Sequence, residues 1–73
     1  MSLSMGENNT DYRIVRIGGR DKTRKQLYNM GLIPGAKLKI VNSFNNNFII
    51  LIKESRLGID EDLATKIFIE PAV

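Results

Sequence analysis

The segment Arg24-Lys25-Gln26-Leu27-Tyr28-Asn29-Met30-Gly31-Leu32-Ile33-Pro34-Gly35 constrains this chain more than any other stretch. It spells a short helix, a stop and a tight turn in one continuous run. Gly31 can enter the left-handed region that ends a helix, which residues bearing a Cβ resist. With Gly31 just past the cap, Leu32 and Leu27 fall at the two positions that touch when a helix closes in a Schellman motif. Pro34 presets φ and Gly35 permits a positive φ, so the pair suits the centre of a type II turn. Gly31, Pro34 and Gly35 therefore read as architecture, with Leu27 and Leu32 as their apolar partners.

What flanks this segment reads as strands. Tyr12-Arg13-Ile14-Val15-Arg16-Ile17 is rich in β-branched and aromatic residues and is broken by Gly18-Gly19. The helix is expected over about 22–30, capped by Asp21 or Thr23. Its apolar stripe is narrow, and so short a helix does not persist alone in water; it must lean on strands. Ala36-Lys37-Leu38-Lys39-Ile40-Val41 alternates, with Ala36, Leu38 and Ile40 inward and the lysines outward. Phe44-Asn45-Asn46-Asn47-Phe48 signals a hairpin, because Asn tolerates the left-handed conformation. Phe48 to Lys53 forms the third strand, apolar on both faces and hence expected at the centre of the sheet. Arg56-Leu57-Gly58-Ile59 is either a fourth short strand or an extended connector. Asp60-Glu61-Asp62-Leu63-Ala64 reads as one helical turn with carboxylates near its N-terminus, where the dipole favours them. Thr65 to Glu70 closes as the last strand, stopped by Pro71.

The fold class is mainly β: a small SH3-like barrel of about five strands with one short α-helix between the first and second strands. Closure is expected to leave few open edges. Residues 1–10 show no periodicity and read as a tag or flexible tail, which leaves 11–71 as a single domain.

Composition then narrows the function. With 42% hydrophobic and 26% charged residues, the 73-residue chain suits one small globular domain and is too apolar for a disordered one. It has no His and no Cys, which removes the commonest general base, the most reactive thiol and every imidazole or thiolate metal ligand. No paired carboxylates announce catalysis. No enzyme activity, cofactor, catalytic residue or metal ligand is therefore assigned. No apolar run reaches the roughly 18 residues of a membrane helix and no signal-peptide pattern is present, so a cytoplasmic location is expected.

Charge is unevenly spread. Residues 1–39 carry a net +5 and residues 40–73 a net −2. The basic group Arg13, Arg16, Arg20, Lys22, Arg24 and Lys25 flanks the helix start. It reads either as a solvated face or as a docking face for an acidic protein surface or lipid head groups. Nucleic acid is disfavoured, because aromatic side chains for base stacking are scarce. Asp60-Glu61-Asp62 suits a dipole complement better than a divalent-ion site, since adjacent carboxylates spread around a helical turn.

The pattern Arg24-x-x-Leu27-x-x-Met30-Gly31-Leu32-x-Pro34-Gly35 resembles the signature of the ferrous iron transport protein A family (FeoA). It is also similar to the SH3-like C-terminal domain of iron-dependent repressors. The resemblance extends over roughly 12–70 and includes Leu57-Gly58-Ile59, Ala64 and Ile67-Phe68-Ile69. Two features depart from it. The family opens with a leucine pair and a glycine, for which Leu3 and Gly6 are a shortened equivalent, and Asn47 stands where a proline is common. The resemblance implies a cytosolic accessory protein of bacterial Fe(II) uptake, acting on the FeoB-type membrane transporter at its G-protein region. Its link to iron would then be indirect. The alternative it implies is a metal-responsive regulatory domain with transition-metal binding. Leu27, Met30 and Leu32 are read first as core contacts. The sharper reading leaves Tyr28, Met30 and Ile33 as an apolar patch that receives a partner, helped by Arg24, Arg16 and Arg20.

Overall fold

Alternating apolar residues in five short strands meet on one side of a single antiparallel sheet. The structure, a computed structural model, describes residues 1–72. A 3₁₀ turn over Leu3–Met5 precedes strand β1 (Thr10–Ile17), helix α1 (Asp21–Asn29) and strands β2 (Lys37–Phe44), β3 (Asn47–Ile52) and β4 (Ser55–Asp60). The short helix α2 (Glu61–Ala64) and strand β5 (Ile67–Pro71) complete the chain. Strand order is β4-β3-β2-β1-β5. Ile14 and Ile17 of β1, Leu38 and Ile40 of β2, Phe48, Ile50 and Ile52 of β3, Ile59 of β4 and Ile67 and Ile69 of β5 are all buried. Leu27 and Leu32 from the helix segment join them, so α1 is held by the core it covers and not by its own propensity.

Most local expectations hold. Asn45 and Asn46, at φ 50° and 63°, turn β2 into β3, with Phe44 paired to Asn47. Residues 56–59 form a true strand, paired along its length with β3. Asp60 caps α2, its Oδ1 accepting from the Leu63 amide at 2.9 Å. The α1 cap differs. Arg20 occupies the cap position in extended backbone and its side chain makes no capping hydrogen bond. Asp21 is instead the first helical residue, where its carboxylate still complements the dipole and pairs with Arg24; Thr23 lies inside the first turn.

Strand β3 lies inside the sheet between two neighbours, as expected; its outer face is open, with Ile49 37% exposed and Leu51 half-buried. Two expectations are corrected. The sheet is not a closed barrel, since β4 and β5 end the order without pairing to each other. Finally, the flexible tail expected at residues 1–10 is seated against the domain. Met1 and Ile69 exchange backbone hydrogen bonds of 2.7 and 3.2 Å, and Ser2 bridges to Phe68. The outer edge of β5 is thereby covered. Leu3 is fully buried, the Asn9 amide donates to the Ile40 carbonyl at 2.6 Å, and the Tyr12 hydroxyl accepts from the Glu7 amide at 2.8 Å. Met1, Leu3 and Met5 alternate, but only Leu3 is buried while Met1 and Met5 stay exposed, and five residues are too short a run to mark an element.

Candidate partner-binding surface

The helix stop closes as its residue types dictate. Gly31 sits at φ +90°; its amide donates to the Tyr28 carbonyl and the Leu32 amide to the Leu27 carbonyl, each at 3.0 Å. These are the two bonds of a Schellman motif. The Ala36 amide then donates to the Ile33 carbonyl at 3.0 Å, across Pro34 and a Gly35 at φ +91°, as a type II turn requires. Two further bonds tie this turn to β1, from the Gly35 amide to the Ile14 carbonyl (2.7 Å) and from the Ile14 amide to the Ala36 carbonyl (2.9 Å). Leu27 and Leu32 are drawn fully into the core. Tyr28, Met30 and Ile33 are left outside at 41%, 36% and 45% exposure.

Beside them, Arg24 and Tyr28 are four apart on α1 and so share one helical stripe, with Arg20 just before it at the cap, in extended backbone. Part of the positive charge is already engaged. Arg24 pairs with Asp21, and the Arg16 guanidinium lies 4.0 Å from the centroid of the Phe68 ring. Arg16 is therefore stacked on the sheet, opposite β5, and stands apart in sequence and element from the helix group. Of the residues singled out for a partner, Arg20, Arg24, Tyr28, Met30 and Ile33 cluster along α1 and its exit. Asp60 is used as a helix cap, and among the described residues no group of three or more carboxylates is placed to share an ion.

A second surface escaped the sequence reading. On the sheet face turned away from the core, Asp11 stands opposite Lys39 and Arg13 opposite Lys37, while Leu51 is flanked by Lys39 on β2 and Arg56 on β4. A like-charged pair facing across strands is unfavourable by about 0.2–1 kcal/mol; Glu70 on the other side of Arg13 offsets part of it. Lys37, Lys39, Lys53, Leu51 and Asp11 line a shallow groove of about 400 Å³. Among the described residues Asp21–Arg24 is the one ion pair within 4 Å, so these lysines are not neutralised at contact distance. The outward lysines of β2 were legible; their meeting with Lys53 depends on the β2–β3 register.

An open five-stranded antiparallel sheet with a helix inserted after its first strand belongs to the SH3-like class of small β domains. Within that class the chain is a member of the FeoA domain family, whose model matches residues 1–71. The match takes in the seated N-terminal turn. Among solved structures, it is similar to an iron uptake regulatory protein (FeoA) at 27% identity and TM-score 0.91, covering 99% of this chain and 97% of that one. The fold is shared with a FeoA protein from Chlorobium tepidum (20% identity, TM-score 0.90, 100% and 71% coverage). It also matches one part of IdeR from T. acidophilum, at 26% identity and TM-score 0.87, covering 99% of this chain but 34% of that protein. No curated protein sequence matches the chain.

Proposed function

We propose that this protein is a non-catalytic accessory module of Fe(II) uptake that docks on the cytoplasmic side of a FeoB-type transporter, at its G-protein region. Membership of the FeoA domain family supports a role in Fe(II) uptake or metal regulation. The observation that carries the docking mode is the apolar trio Tyr28, Met30 and Ile33, left exposed by a helix stop whose neighbours Leu27 and Leu32 are fully buried. Tyr and Met are enriched where proteins meet, and the Schellman and type II turns hold the trio on rigid backbone, which lowers the ordering entropy of binding. Arg20 and Arg24 beside Tyr28 would steer the approach of an acidic partner. Iron enters only through the partner, because the chain has neither imidazole nor thiolate. No helix among the described residues is long and apolar enough to cross a membrane, which suits a module that reaches the membrane through its partner.

Titration of the domain against the cytosolic part of the cognate transporter tests this reading. Saturable binding is expected, weakened about tenfold or more by Tyr28→Ala with Ile33→Ser, as for residues at the centre of a contact. No binding by a domain shown to be folded sinks the docking mode.

The likeness to IdeR supports a second reading, a metal-responsive regulatory domain. Calorimetry with Fe(II) or Mn(II) separates the two: tight stoichiometric binding favours the regulatory domain and overturns the indirect link to iron.

A further inference from the structure

We infer that the outer face of the sheet is a second binding site, for an extended acidic peptide segment of a partner protein. The groove crosses three neighbouring strands. Asp11 on β1, with Ala72 beside it, borders one side, Lys37 and Lys39 on β2 lie in the middle, and Leu51 on β3 with Lys53 at that strand's end borders the other. Arg56 on β4 stands next to Leu51, outside the groove. Asp11 is the one carboxylate in the lining. An occupant must therefore carry carboxylates for the lysines and an aliphatic side chain next to them for Leu51. A peptide alternating acidic and aliphatic residues presents such a surface along its length. Nucleic acid fits less well, because no aromatic ring lines the groove for base stacking. The groove's own cations are lysines, which lack the forked geometry that grips phosphate.

Lys53 supplies an independent observation. Among non-glycine residues, positive φ occurs at Asn9, Asn45, Asn46 and Lys53. Asn is the residue that tolerates this region, and lysine gains nothing from it locally. At the turn between β3 and β4 the chain thus holds a strained lysine at φ 54° where asparagine or glycine is easier, and that lysine borders the groove. Strain retained beside a binding surface marks a position where side-chain chemistry outranks stability.

Fluorescence anisotropy with a labelled peptide alternating Glu and Leu, at low salt, tests the site on the intact chain. Saturable binding is expected, several-fold tighter than that of an all-Glu peptide of equal charge. Lys39→Glu should weaken it about fivefold, the effect of one partly screened charge contact. Lys66→Glu makes the same change in net charge outside the groove and should shift binding less than about twofold. Lys53→Asn should raise the thermal midpoint while lowering affinity, a pairing that a purely structural lysine does not give. Equal responses to Lys39→Glu and Lys66→Glu overturn the proposal, as does the absence of saturable binding. Tighter binding of a single-stranded oligonucleotide or of phosphatidylserine vesicles also overturns it and reassigns the groove to phosphate. Lys39→Glu and Lys53→Asn lie on the sheet's outer face, away from α1, so either surface can fail without the other.

Discussion

Two glycines in this domain are glycine for opposite reasons, and substitution separates them. At Gly31 nothing among the described residues lies within 4 Å of an added Cβ, yet the backbone sits at φ +90°. The constraint is conformational, so Gly31→Ala should destabilise by roughly 1–2 kcal/mol, and Gly31→Asn by less, because Asn tolerates the left-handed region. At Gly6 the backbone is ordinary, φ −73°, but an added Cβ would strike Ile40 Cδ1, with Ile69 Cδ1 and the Leu3 carbonyl oxygen at 3.3 Å behind it. That constraint is steric, and overpacking of about 1–3 kcal/mol is expected for Gly6→Ala. Ile40→Val removes the struck atom. The double variant should therefore be more stable than the sum of the two single losses predicts; strict additivity in urea unfolding would refute the steric account.

Among the elements, the turns, the helix stop and the five strands were readable from local chemistry and pattern, while sheet closure and the seat of the first residues were not. The Schellman stop, the type II turn, the Asn45-Asn46 hairpin and the carboxylate-led α2 each rest on residues within a few positions of one another. The α1 cap was misplaced by one residue because Asp21 serves the dipole as well at the first helical position as at the cap. Leu3 was missed because the Met1-Leu3-Met5 alternation is too short to mark an element, and its pocket is built by residues far along the chain. Barrel closure was over-read: five short strands satisfy an open sheet as well, once the first residues cover β5. Of the candidate surfaces, the apolar trio could be listed from the helix stop, while the basic groove needed strand register. For α2, Asp60→Ala should cost about 1 kcal/mol through loss of the cap, and Asp60→Asn much less; guanidinium unfolding monitored by circular dichroism would detect the difference.

For the molecule as a whole, stability rests on the two ends of the chain. A domain of this size holds about 4–11 kcal/mol against unfolding. Leu3→Ala should remove about 2–5 kcal/mol of it and leave the oligomeric state unchanged, because the backbone pairing of Met1 and Ser2 to β5 survives. Deleting residues 1–3 removes the packing and also uncovers the β5 edge, so a lower melting temperature should come with concentration-dependent association. Size-exclusion chromatography distinguishes the two; a deletion variant that keeps the parent's elution at every concentration and is as stable as Leu3→Ala would show that the edge cover is idle. The same seat has a kinetic side. Met1 and Ile69 are joined across 68 positions of sequence, and β1 is flanked on one side by β5, the fifth strand along the chain. Ordering so long an intervening chain precedes the reward of closing it. The native sheet therefore cannot be completed piecemeal from one end, and refolding should run on the slower, millisecond-to-second scale of non-local β topologies.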